Sequence, residues 1–308
     1  MNINLLKTTS LLTLVCGLCA CATNTEALKD NTTVSNTGCE YDVAAYVWPA
    51  YQNTPDWKRY GHFPKNIGEW EFVENQPLVW ARKVDACLAS GINVLIFDWY
   101  WYDGKPYLED SVNAFLKAPN NERMKFALMW ANHNIDDLWD KTVPVKCTDK
   151  NGYRNIRATS KVTLEEFKTV LVPRWIEYFK KPNYYKVNGK PLFQIFSPVV
   201  LKKYLGGEDG VAEAFAYLNQ KAIDAGFSGV EIQCQEGHLE IEGCAEEFKK
   251  EGYAGAFAYN WLEFVPFSGS YYLDYTNRPD MDYKEWGEAA YKELDKRAAK
   301  NRYFQYYP

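Results

Sequence analysis

The sequence predicts an α/β fold of the (β/α)8 TIM-barrel type, incomplete at about six to seven βα units. Three observations predict it. Short apolar runs alternate with amphipathic ones along the whole chain after residue 41. The short runs are near-continuously apolar, as strands covered on both faces read. Polar and aromatic residues follow nearly every run, where a parallel barrel gathers its site. An open doubly wound sheet would carry a glycine-rich phosphate loop after its first strand. Here "VWPAYQNTPDW" follows instead. The pattern supplies six strands and the start of a seventh, whereas closure needs eight. Open edges prone to pairing with other chains are therefore expected.

The elements follow in order. "DVAAYVW" (42–48) is the first strand. "QPLVWARKVDACLAS" (76–90) places Leu78, Ala81, Val84 and Leu88 on one helical face, and Gly91 stops it. "INVLIFDW" (92–99) is a β-branched second strand, followed by a helix over 107–118 and a third strand, "MKFALMWAN" (124–132). A Thr-x-x-Glu capping box, Thr163 with Glu166, opens a helix over 163–181. "PLFQIFS" (191–197) is the fourth strand, with a helix over 210–226 after it. "GVEIQCQ" (229–235), a short helix (245–252), "AGAFAYNW" (254–261) and a long helix (281–300) complete the pattern before "RYFQYYP".

The stretch "FDWYWYDGK" (97–105) drives a carboxylate out of a buried strand into four aromatics. A buried carboxylate is costly unless paired or hydrogen-bonded. In a barrel, the strand ends bring such residues to one mouth. The first strand offers Tyr46 and Trp48; the second Asp98, Tyr100 and Trp101; the third Trp130, Asn132 and His133. The fourth offers Gln194 and Ser197, the fifth Gln233, Gln235, Glu236 and His238, the sixth Tyr259, Asn260, Trp261 and Glu263. Amides and carboxylates bond hydroxyls, and aromatic faces cover the C–H faces of sugars. Asp98 reads equally as a structural anchor for loop amides. The abundance of aromatics fits either a tryptophan-rich core or a sugar cleft. "EWGE" (285–288) imitates the carboxyl pair of a glycosidase, but it continues a helical spacing through Tyr283, Trp286, Ala290 and Leu294 and reads as helix surface.

The chain reads as signal peptide (1–20), polar tether (21–40) and barrel (41–308). "MNINLLK" and "TTSLLTLVCGL" form n- and h-regions. "LCAC" (18–21) has lipobox character, with Cys21 the acylated first residue after cleavage; an ordinary signal cut nearby is the alternative. Export and lipid anchoring in a bacterial cell envelope follow, on the periplasmic or surface face of an outer membrane. Of the cysteines, Cys39, Cys87, Cys147, Cys234 and Cys244 then remain, an odd set allowing at most two bridges. With only His62, His133 and His238, a histidine-rich zinc site is not expected, nor any cofactor. The net charge of −5 argues against a nucleic-acid partner.

"GINVLIFDWYWYDGKPYLE", "MKFALMWANHN", "YYKVNGKPLFQIFSP" and "AYNWLEF" resemble the glycoside hydrolase family 99-like group, many of whose members carry the label WbsX-like and were once described as glycosyltransferases. The match runs in order from about Val43 to Pro308. The resemblance implies a (β/α)8 barrel and an oligosaccharide or polysaccharide partner. For characterised members it implies endo-acting cleavage of α-mannosidic linkages. In such proteins a G-W-D-x-x-P-R type segment and a terminal N-E-W-x-E type motif follow, and the motif supplies the catalytic carboxylates. Neither occurs here, so the catalytic pair is not carried over. "NWLE" (260–263) has the spacing but places Asn260 where an acid is needed. Ligand binding is carried over to Asp98, Trp101, Trp130, Asn132, His133 and Tyr259. Three readings stay open: a truncated hydrolase-like product, a non-catalytic glycan-binding protein, and an active enzyme using Asp98 with Glu236 or Glu263. A transferase is disfavoured, since no nucleotide-sugar phosphate site is visible.

Overall fold

A computed structural model describes residues 41–49, 74–136, 156–235, 244–259, 283–300 and 305–307. The chain divides into Met1–Asp42 and Val43–Pro308, and the fold described is that of the second unit. The signal, Cys21 and the tether lie outside the described residues.

Seven parallel strands form one path. In chain order, β1 (Ala44–Val47) is followed by α1 (Pro77–Ala89), β2 (Val94–Tyr102), β3 (Lys105–Tyr107) and α2 (Asp110–Phe115). Next come β4 (Lys125–Trp130), β5 (Ile135–Asp136), β6 (Ile156–Ala158), α3 (Leu164–Glu166), a π turn over Phe167–Leu171 and α4 (Val172–Phe179). Then come β7 (Lys186–Val187), β8 (Lys190–Ile195), α5 (Pro198–Leu205), α6 (Glu208–Asp224) and β9 (Glu231–Gln235). The last elements are α7 (Cys244–Glu251), β10 (Gly255–Phe257), α8 (Tyr283–Lys300) and β11 (Gln305–Tyr307). The parallel order is β1-β2-β4-β8-β9-β10-β11, with β3 and β7 added antiparallel on β2 and β8, and a separate pair β5–β6. "RYFQYYP" therefore does supply a seventh parallel strand.

The sheet is curled. The Tyr46 hydroxyl of β1 donates to Gln194 Oε1 of β8 at 2.9 Å, three places along the path. Tyr259, just past β10, donates to Asp98 Oδ2 of β2 at 2.8 Å, four places from its neighbour strand. A flat sheet with strands about 4.8 Å apart could not make either contact. The architecture is an incomplete (β/α)8 barrel, open between β1 and β11 among the described residues.

Alternation along each strand divides the side chains between two faces. All nine residues of β2 are buried, so both faces are covered. Phe97 meets Trp80 of α1 and Phe115 of α2 at ring distances of 5.1 and 5.2 Å. Trp175 of α4 fills the gap among Trp99, Trp130 and Phe193, at 5.6, 5.2 and 4.5 Å. These rings make the helix-facing core, each worth roughly 1.5–3 kcal/mol of burial. The opposite, concave face carries Tyr46, Asp98, Tyr100, Gln194, Gln233 and Tyr259.

Two hairpins go beyond the expected pattern. β2 continues three residues past Trp99 and turns back into β3 through Asp103 (φ 49) and Gly104 (φ 76). β7 and β8 are joined by Asn188 (φ 51) and Gly189 (φ 80). Positive φ at both central residues is the type I′ requirement, which Asp-Gly and Asn-Gly meet at low cost. The first hairpin takes Tyr107, expected as the start of the helix over 107–118, and α2 begins only at Asp110. The helix expected over 210–226 is α6, which starts two residues earlier at Glu208 after the Gly206–Gly207 break; ahead of it stands an additional helix, α5, capped by Ser197 Oγ, which accepts from Val200 N–H at 3.3 Å. Thr163 Oγ1 caps α3 by accepting from Glu166 N–H at 3.1 Å. The Glu166 carboxylate does not close a reciprocal box; it accepts from Trp101 Nε1 at 2.8 Å.

Candidate functional site

Asp98 lies at the centre of the concave face, 4% exposed. Burial pushes its carboxyl up to about 8, with hydrogen bonding from the Tyr259 and Tyr100 hydroxyls pulling the other way. A carboxyl in this condition is largely protonated at neutral pH. Oδ2 accepts from Tyr259, and Oδ1 is buried with no hydrogen-bond partner among the described residues. The anchor reading of the sequence expected loop amides around Asp98; the partner observed is a phenol 161 residues away.

Aromatic rings enclose the carboxyl. Tyr100 meets His133 edge-on at 5.8 Å, His133 meets Phe196 at 5.4 Å, and Phe196 meets Tyr259 at 5.2 Å. Trp48 hydrogen-bonds with the Tyr100 hydroxyl. Burial, followed by the negative charge of Asp98, raises the Tyr100 hydroxyl well above its ordinary range, so it stays a neutral donor and acceptor. His133 Nδ1 lies 3.0 Å from the Asn134 carbonyl oxygen. On the other side, Tyr46 stacks edge-on to Tyr259 at 5.0 Å and continues through Gln194 to Gln233. Gln235 is buried at the end of β9.

The structure therefore brings Trp48, Asp98, Tyr100, His133 and Tyr259 together, but it separates other expected members of the mouth. Trp101 stacks on Trp99 at 5.9 Å and Trp130 packs on Phe167 and Trp175, both on the helix-facing side. They are 3% and 0% exposed. Strand alternation is the reason: Asp98 and Tyr100 point one way, Trp99 and Trp101 the other. Asn132 is spent on the chain itself, its Nδ2 donating to the Ser197 carbonyl at 2.8 Å and its Oδ1 accepting from Ser197 N–H at 2.7 Å. It clamps the end of β4 to the end of β8. Glu236, Asn260, Trp261 and Glu263 lie outside the described residues, as does His238. Glu285 and Glu288 are exposed on α8, as the helix-surface reading expected.

The residues that reading the sequence passed over are the supports behind the indoles. Glu109 accepts from Trp99 Nε1 at 2.9 Å and from Arg174 Nε at 2.8 Å, with a further contact between Oε2 and the Arg174 guanidinium. Burial opposes ionisation of Glu109, but the Arg174 and Trp99 hydrogen bonds outweigh it and lower its pKa. Carboxylate oxygens of Glu208, Glu247 and Glu251 lie within 4.8 Å of one another. Lys202 pairs with Glu247 and, at 2.7 Å, with Glu251, so a side-chain cation already serves that cluster. Among the described residues, Cys87 and Cys234 are thiols outside any disulfide, and no helix is long and apolar enough to cross a membrane.

The chain is similar to several solved structures. A GH99 endo-alpha-mannosidase from Bacteroides thetaiotaomicron is 16% identical over 61% of this chain and 44% of that one, with a TM-score of 0.39. The chain thus spans less than half the length of that protein. The same description in complex with bis-tris-propane gives 14% identity over 86% and 68%, with a TM-score of 0.48. A glycoside hydrolase-like protein gives 14% over 71% and 58%, with a TM-score of 0.42. No curated protein matches the chain. The family model described as Glycosyltransferase WbsX matches residues 58–268, more than half of the 308 residues, and the chain belongs to that WbsX family.

Proposed function

We propose that the chain binds a glycan on the concave face of its sheet, as a glycoside-hydrolase-like member of the family. The observation that carries this reading is Asp98: a buried carboxyl with one oxygen held by Tyr259, the other unengaged, and aromatic rings around it. A protonated carboxyl can both donate to and accept from a hydroxyl. Neutral phenols at Tyr100 and Tyr259 add further hydroxyl partners, and ring faces suit the C–H faces of a sugar. Mannose-containing oligosaccharides are the first ligands to try, on the strength of the sequence resemblance. Export and a lipid anchor at Cys21 belong to the same proposal, resting on the n-region, h-region and lipobox alone.

Glycoside hydrolysis needs two carboxyl groups. Asp98 is read here as a hydroxyl-binding residue, and Glu236 and Glu263 are the residues to test as partners in turnover. The competing reading is a glycan-binding protein without turnover. It is separated from the first by product analysis after long incubation with a panel of mannose-containing glycans. Reducing ends released by the wild type and lost in Glu236→Gln or Glu263→Gln support hydrolysis. Saturable binding without products supports the binding protein. Product formation only with an added nucleotide sugar would overturn both in favour of transfer. No binding to any glycan would sink the proposal.

A further inference from the structure

Strand register puts Asp98, Met129, Gln194 and Gln233 in one row across β2, β4, β8 and β9. All four are buried. Barrel interiors fill such rows mainly with branched apolar side chains; this row holds a carboxyl and two amides. The amides are wired in sequence. Tyr46 O–H donates to Gln194 Oε1 at 2.9 Å, and Gln194 Nε2 donates to Gln233 Oε1 at 3.0 Å. Each bond fixes the amide that accepts it, because its NH2 must then turn the other way. The chain ends at Gln233 Nε2, a buried donor with no acceptor among the described residues. At the far end of the row, Tyr259 holds Asp98 Oδ2 and leaves Oδ1 buried and unpartnered. The Tyr46 and Tyr259 rings touch edge-on at 5.0 Å, so both hydrogen-bonded arms lie on the same face of the sheet. A buried polar atom left without a partner costs about 1–3 kcal/mol, and this row carries two of complementary kind.

We propose that Gln233 Nε2 and Asp98 Oδ1 together hold one hydroxyl oxygen on the concave face. The oxygen accepts from the amide and bonds the carboxyl. Two sources share this chemistry: a trapped water and a ring hydroxyl of a bound glycan. The glycan source rests on the function proposed above; the water source does not.

Crystals of the full chain, at a resolution that shows ordered water, test the proposal without and with a soaked mannose-containing oligosaccharide. The expected result is an oxygen within about 3.2 Å of both atoms. A water present in both crystals assigns the trapped source. A water replaced by a sugar hydroxyl assigns the glycan. If no glycan binds and the water is present, the glycan reading fails and this inference stands. No oxygen bridging the two atoms in either crystal overturns it. In solution, Gln233→Met removes the donor and keeps the length of the side chain. If the glycan is the source, affinity should fall by about three- to tenfold, the worth of one hydrogen bond. Unchanged affinity in a folded Gln233→Met variant would overturn the glycan source.

Discussion

Replacing Asp98 with asparagine should make the protein more stable in alkali than the wild type. Asparagine has the shape of the protonated acid, and its side-chain oxygen can still accept from Tyr259. What it lacks is the ability to ionise. The carboxyl moves from 3.8 in the open to about 8 in the fold, because burial disfavours the anion. The folded state therefore holds its proton more tightly than the unfolded state does. Stability from this group is fully present below pH 4 and is lost progressively as the pH climbs to about 8. Each pH unit in that window is worth about 1.36 kcal/mol, so the full loss is on the order of 5 kcal/mol. Glu74 and Glu251 are also raised, by burial first. They are common to both proteins and cancel in the difference. Urea unfolding of wild type and Asp98→Asn at pH 5, 7 and 9 reads the effect. Between pH 5 and pH 9 the difference should shift by about 4 kcal/mol in favour of the variant. A difference that stays constant with pH, or shifts toward the wild type, would mean that Asp98 does not hold its proton more tightly in the fold.

The remaining predictions concern the supports of the site. Trp101→Phe removes the bond to Glu166 on the helix-facing side and should cost about 1 kcal/mol in urea unfolding; no cost would mean that bond carries no weight. Asn132→Ala breaks both contacts to Ser197 and should cost about 2 kcal/mol, since a half-buried amide and carbonyl lose their partner. Glu109→Gln weakens the charged bonds from Arg174 and should cost about 2 kcal/mol at pH 7. Because the Glu109 pKa is lowered in the fold, that cost should shrink as the pH falls below the ordinary carboxylate range, and a cost that grows in acid would contradict the ion pair.

The strands were legible because each apolar run is short and bounded by helical spacing, as in "GINVLIF" between Gly91 and Asp98. The faces were not. When both sides of β2 are buried, aromatics occupy both, and "DWYWY" shows no polar alternation to separate Asp98 and Tyr100 from Trp99 and Trp101. Strand parity alone would have divided them. The hairpins were signalled by "YDGK" and "VNGK", and α5 by Ser197, Pro198 and the Gly206–Gly207 break. The left-handed backbone of Leu108 (φ 55) has no such signal. The bond between Asp98 and Tyr259 joins residues far apart in the chain, so only the curl of the sheet reveals it. Tyr46, Gln194 and Gln233 could be named as strand-end residues, but their order as a donor chain depends on register and not on spacing.

On the proposed reading a glycan binds on the concave face, and not on the tryptophan-rich helix-facing side. Calorimetric titration of one mannose-containing oligosaccharide into wild type, Asp98→Ala and Trp101→Phe tests it directly. Binding should disappear in Asp98→Ala and be unchanged in Trp101→Phe. Binding that survives in a folded Asp98→Ala variant, or that is lost in Trp101→Phe while Asp98→Ala retains it, would contradict the assignment of the site.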